Sequence, residues 1–207
     1  MNRPVVLVGG QGAEAALGMF VAEGVDARMV TTAAELREAD RQGIRYTLVH
    51  VGPDDGEHEG TYARAHHRVA PVDLPALAGK LRARDRMLVT CLAFAFKNGL
   101  PAGADWVVDT RFLDNPYWVE ELRPLDGRAA AVRAYVLGQP AANESLDNLE
   151  RTLRPLVPRY HERGRMELML AFGCTGGRHR SVVLAAEMAR RLSRLEDVDV
   201  EFVARDL

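Results

Sequence analysis

The 207-residue chain has only two cysteines, Cys91 and Cys174, too few for a disulfide framework, which points to a reducing compartment and a cytoplasmic protein. No apolar run approaches the roughly 20 residues that span a bilayer. The opening "MNRPVVLVGG" also lacks the long apolar stretch of a secretory leader, so neither membrane insertion nor export is expected. An excess of one charge is missing too. Lys and Arg number 27 against 29 Asp and Glu, a formal net charge of −2. Nucleic acid would therefore have to be met by a local patch and not by the field of the whole molecule. The chain contains no internal repeat and no low-complexity tract.

What is present alternates. "PVVLVGG" (4–10), "VDARMV" (25–30) and "IRYTLVHVG" (44–52) are short apolar runs closed by turn residues, the pattern of buried strands. Between them, "AEAALGMFVAEG" has helical spacing with a glycine stop. "TTAAELREADRQG" opens on Thr32 with Glu35 three residues later, a capping box. Residues 53–71, "PDDGEHEGTYARAHHRVAP", read as a long exposed loop. A helix follows, with Asp73 at its cap, and then a new apolar strand, "MLVTCLAFAF" (87–96). The second half reads as a strand "DWVVDTRF", a Pro-rich loop, one or two helices across 129–162, a strand "MELMLAFG", a final helix, and an edge strand "VDVEFVARDL". The expected fold is α/β: two small three-layer domains, a Rossmann-like or degenerate P-loop-like one at 1–86 and a ligand-binding one at 87–207.

The decisive stretch is "LMLAFGCTGGRHRSVVLAAEMARRL", a strand, a glycine-rich loop and a helix. A helix N-terminus presents unpaired N–H groups and partial positive charge. Gly176 and Gly177 allow close approach to the backbone, Thr175 adds a hydroxyl, Ser181 is placed to cap, and Arg180 supplies a planar fork for oxygen anions. These residues, with His179 between them, make a phosphate seat.

Residues 174–181 also fit the C-x-x-G-x-x-R-[ST] loop of protein tyrosine phosphatases. In that alternative, Cys174 is a thiolate nucleophile, Arg180 holds the phosphate, and Asp109 is the general acid. Gly173 stands where those phosphatases carry a histidine.

Several segments in order, "FAFKNGLP", "AD-V-D-RFL-NP-W", "LRPLDG" and "GCTGGRHRSV", resemble the C-terminal domain of RapZ, the RNase adapter protein, over about residues 87–200. The resemblance implies an α/β module that binds a phosphosugar, glucosamine-6-phosphate, and controls a regulatory response. It implies that Thr175, Gly176, Gly177 and Arg180 grip the phosphate, and that Asp109 and the segment Asn115 to Trp118 line the same pocket. Arg111 and Arg123 would add positive charge. A protein partner and a homo-oligomer are expected with it, and no cofactor.

Three departures from the family's pattern bear on function. Tyr117 stands where the family has a histidine, which removes a positive charge from the ligand site. "VGGQGAEAA" keeps Gly9, Gly10 and Gly12 but lacks the Lys and Ser/Thr of G-x-x-x-x-G-K-[ST], so ATP hydrolysis is not expected and a bare turn is. The chain closes on "EFVARDL", not on a basic tail. Arg190, Arg191 and Arg194 read as helix-dipole partners, so RNA binding by an adaptor stands as a third reading that the charge balance opposes. The group Asp54, Asp55, Glu57, His58, Glu59, His66 and His67 fits no standard metal spacing and reads as a solvated loop. Cys91 reads as core, and Trp106 and Trp118 as packing near the pocket.

Overall fold

The structure, a computed structural model, describes residues 4–53, 59–62, 65–83 and 86–207. The chain forms two compact units: Met1–Asp85 with Arg159–Met166, and Arg86–Pro158 with Glu167–Leu207.

The first unit runs β1 Val5–Gly9, α1 Ala13–Ala22, β2 Ala27–Met29, α2 Ala33–Arg41, β3 Tyr46–Val51, α3 Glu59–Tyr62, β4 His67–Val69 and α4 Leu74–Ala83. Its four strands are all parallel, in the order β2-β1-β3-β4. Continuous Val/Leu runs suit strands covered on both faces. Val6, Val8, Val49 and Val51 pack with Phe20, Leu77 and Leu81, while Leu7, Tyr46 and Leu48 pack with Leu36 and Tyr62. The capping box forms as expected: Thr32 Oγ1 accepts the Glu35 N–H at 3.3 Å, and Glu35 Oε2 accepts the Thr32 N–H at 3.0 Å.

The reading of 53–71 as one exposed loop is corrected. α3 and β4 lie inside it, β4 pairing with β3 from Val49↔His67 to Val51↔Val69. A three-residue strand is too short to show a period of two, and it exists because β3, distant in sequence, offers it a ladder. His66 accepts the Leu48 N–H at Nδ1, 2.8 Å away. Asp54, Asp55, Glu57 and His58 lie outside the described residues.

The β1–α1 turn is closed by its own neighbours. A Cβ on Gly9 would come 2.1 Å from the Tyr62 ring, and one on Gly10 (φ +92°) 2.5 Å from the Val51 carbonyl. The Tyr62 hydroxyl is itself tied to the Val30 carbonyl at 2.9 Å. These glycines serve close packing within the unit.

The second unit runs β5 Met87–Ala95, β6 Trp106–Asp109, α5 Ala130–Leu137, α6 Pro140–Glu162 up to Pro158, β7 Glu167–Cys174, α7 Arg180–Leu192 and β8 Val198–Ala204. Its strands are again all parallel, in the order β6-β7-β5-β8, with β8 at an edge as the alternation of its sequence implied. The amphipathic α7 packs across β5, β7 and β8 and buries Val182, Val183, Leu184, Met188 and Leu192. β5 and β7 are neighbours, and Ala95 pairs with Cys174 at their ends. From there the chain leaves β5 toward β6 and leaves β7 toward β8, in opposite directions. In open α/β sheets such a switch point, at the carboxyl ends of the strands, is where a crevice opens.

Candidate functional site

A cavity of about 430 Å³ opens at this switch point. Its wall is made by Cys174, Thr175, Gly176, Arg178, His179 and Arg180 from the β7–α7 loop, by Lys97 beyond β5, and by Asn115, Tyr117 and Trp118 beyond β6. Among the described residues no acidic side chain lines it.

The glycines of the loop have separate causes. A Cβ on Gly173, the last residue but one of β7, would strike the rings of Phe94 and Phe96 at 2.5 Å, so the strand passes these rings only with a residue that has none. Gly177 has φ +67° and approaches the Ala95 nitrogen so closely that a Cβ would stand 2.9 Å from it. Gly176 is different: a Cβ there would meet no protein atom within 4 Å, and the residue faces the cavity.

The "LRPLDG" segment braces the loop from outside. Gly127 donates to the Arg178 carbonyl at 2.8 Å, and Arg178 donates back to the carbonyls of Leu125 and Pro124 at 3.2 and 3.0 Å. His179 Nε2 lies 2.9 Å from the Leu125 carbonyl. A carbonyl only accepts, so Nε2 carries the proton. Burial disfavours the charged ring, and Arg178 and Arg180 add repulsion, so His179 is held below the usual histidine range despite its bond to Leu125.

Arg180 is 5% exposed. Its Nη1 donates to the carbonyls of Leu113 at 2.8 Å and Arg111 at 3.2 Å, while its Nε has no hydrogen-bond partner among the described residues. A buried donor left unmade costs about 1–3 kcal/mol, and this one belongs to a side chain in the cavity wall.

Cys174 ends β7 at the cavity floor, with Sγ 3.1 Å from Ser181 Oγ. Burial pushes the thiol up, yet hydrogen bonds from the Ser181 side chain and from the N–H groups of Ser181, His179 and Arg178 outweigh it, leaving the thiol below its ordinary value. Ser181 was expected at the helix cap and is instead buried inside the first turn, because His179 takes the cap position. Cys91, by contrast, is buried in mid-strand and pushed up to about 12 by desolvation.

Of the remaining candidates, Asp109, Arg111 and Arg123 fall outside the cavity wall. Asp109 and Arg111 clasp each other, Nη2 to Oδ2 at 2.7 Å, with the Arg111 guanidinium 4.1 Å over the Phe96 ring. The hydrogen bond from Arg111 holds the Asp109 carboxyl below the usual carboxylate range, so it is a poor proton donor. Arg123 sits behind the rim, donating to the Tyr117 carbonyl at 3.0 Å with its guanidinium over that ring. Asn115 accepts the Tyr117 N–H at 3.3 Å and so shapes the short turn Pro116–Trp118, from which Trp118 projects 77% exposed. Sequence reasoning left Lys97 and Arg178 out of the site. The one signal for Lys97 was its place in "FAFKNGLP", one turn beyond a strand end.

Arg191 donates to Asp147 at 2.5 Å and Glu187 at 3.1 Å, and Arg190 to Glu187, so the late cations of α7 are taken up by neighbouring acids. Among the described residues no helix is long and apolar enough to cross a membrane.

Residues 87–207 match the family model for the RapZ C-terminal domain. A protein of Acidothermus cellulolyticus named "Nucleotide-binding protein" is 54% identical over 122 residues, 57% of this chain and 39% of its own length. Proteins of the same name from Saccharopolyspora erythraea and Thermobifida fusca are 51% identical over 125 residues and 49% identical over 129. Those matches cover 60% and 62% of this chain, and 43% of each relative. The chain thus spans about two fifths of the length of these curated relatives.

Proposed function

The chain belongs to the RapZ C-terminal domain family, and from that premise we propose that its second unit binds a phosphorylated small molecule, glucosamine-6-phosphate or a related amino sugar phosphate, as a regulatory sensor. The observation that carries this reading is the buried Nε of Arg180, a donor without a partner among the described residues, beside the N–H-rich loop Thr175–His179. A phosphate oxygen there would complete a charge-assisted pair, with Lys97 and Arg178 adding positive field and the Thr175 hydroxyl a further contact. Tyr117 and Trp118 offer ring faces and one hydroxyl to the sugar. The bound state would be passed to a protein partner or to another copy of the chain.

The cysteine phosphatase alternative has less support: Asp109 is clasped by Arg111, and among the described residues no acid lines the cavity to give a proton to the leaving group. RNA binding has less support still, because Arg190 and Arg191 are neutralised by Glu187 and Asp147.

The test is calorimetric titration of glucosamine-6-phosphate into the wild type and Arg180→Ala, with glucose-6-phosphate and inorganic phosphate as comparators and released phosphate assayed in parallel. Saturable binding of the amino sugar that is lost with Arg180, without phosphate release, supports the sensor. No binding, or turnover that vanishes in Cys174→Ser, sinks it.

A further inference from the structure

We infer that Cys174 is a modification site: its sulfur, on the floor of the cavity, is a nucleophile toward small neutral electrophiles of the hydroperoxide class, and its oxidised form takes up the room of the bound phosphate. Three observations place it there. Cys174 lines the cavity, and its Sγ lies 3.1 Å from the hydroxyl of the buried Ser181. The same loop turns from the end of β7 into the first turn of α7 around this sulfur, with Arg178 and His179 in the same cavity wall. Arg180, in the same wall, keeps a buried Nε–H that has no hydrogen-bond partner among the described residues. The backbone dipoles of a helix N-terminus and a buried hydroxyl beside the sulfur favour its anion, and the thiolate is the reactive form.

The other thiol lacks all of this. Cys91 sits in the middle of β5 at 0% exposure, with no charge-stabilising partner and a pKa raised by burial alone. It pairs with Leu170, four residues along the ladder from the Ala95–Cys174 pair. At about 3.3 Å per residue that is roughly 13 Å, too far for the two sulfurs to join. A disulfide between Cys91 and Cys174 is therefore excluded, and the first product of oxidation at Cys174 is the sulfenic acid.

The step balances without another reagent. The thiolate sulfur attacks one oxygen of hydrogen peroxide and forms an S–O bond, the O–O bond breaks, and the hydroxide that leaves takes up the proton the thiol had released to solvent. Sulfur is oxidised by two electrons and the peroxide is reduced to water. The new oxygen stands beneath the loop N–H groups, where the phosphate would have to settle. This mutual exclusion rests on the phosphate reading of the site; the reactivity of the thiol does not.

The experiment uses the wild-type chain, with Cys91 as internal control. Protein is exposed to hydrogen peroxide with a dimedone-type trap, and separately to iodoacetamide, and each cysteine is followed by peptide mass spectrometry. A sample unfolded in guanidinium shows that both thiols can label. Cys174 is expected to react at least about a hundredfold faster than Cys91 in the folded protein, and saturating glucosamine-6-phosphate or inorganic phosphate to slow it. Equal rates at the two cysteines, or labelling of Cys174 only on unfolding, would overturn the inference. Fast labelling that no phosphate slows would leave the thiol reactive and count instead against the phosphate seat.

Discussion

Arg180 reaches back from the first turn of α7 to donate from Nη1 to the Leu113 carbonyl at 2.8 Å, fixing the guanidinium, while its Nε has no partner among the described residues. The chain thus spends one edge of the arginine on its own loop and holds the rest rigid. Arg180→Lys keeps the charge but not the fork. It should retain the fold, with a lower Tm, and weaken glucosamine-6-phosphate binding by about tenfold to a hundredfold, the worth of one or two charge-assisted bonds. Unchanged affinity by calorimetry would mean that the guanidinium is structural only.

Gly176 and Gly177 are adjacent and should behave oppositely. Gly177→Ala forces a Cβ into left-handed backbone and to within 2.9 Å of the Ala95 nitrogen, so it should cost at least about 1–2 kcal/mol in denaturant unfolding. Gly176→Ala meets no protein atom and should shift stability by less than about 0.5 kcal/mol. Its methyl would nevertheless keep a ligand from the loop amides, so binding should fall while the Tm holds. Loss of stability in Gly176→Ala would contradict the geometry.

His179 gives the molecule a pH dependence with a defined sign. Its folded pKa lies below the ordinary value, chiefly because it is buried, so its contribution to stability is present above about pH 6.5 and is lost as pH falls toward the lowered value. Thermal unfolding from pH 8 to 5 should show a decline that is shallower in His179→Gln. An identical slope in the two proteins would remove His179 as its source.

The closed turn in the first unit is testable by packing alone. Gly9→Ala should lower the Tm, because the new methyl meets a Tyr62 ring that is buried and tied to Val30. The double variant Gly9→Ala, Tyr62→Ala should lose less than the sum of the two single changes, since the clash is then gone. Strict additivity in the unfolding data would show that the two residues do not meet.

The periodic elements were legible because their causes are local. β1 is an unbroken apolar run and β3, β5 and β7 are predominantly apolar, the Thr32–Glu35 box closes within four residues, and the Gly-Cys loop sits between a strand and a helix that each announce themselves. β4 and α3 were not legible, since β4 is three residues long and α3 four. Asp109 looked like a pocket residue because its motif lies beside the loop in the fold. Only the coordinates reveal that its carboxylate is spent on Arg111 two residues away.

By itself the sequence determined two parallel α/β units, and it singled out the loop 174–181 as the candidate site and Arg180 as its candidate cation. All three follow from spacing along one chain. Tertiary structure decided what each group at that loop is free to do: which edge of Arg180 is already used, why Cys174 and Cys91 differ, and that Lys97 joins the wall. These are properties of burial and of partners far apart in sequence, and a thiol or a guanidinium has no fixed reactivity until its neighbours and its distance from water are set.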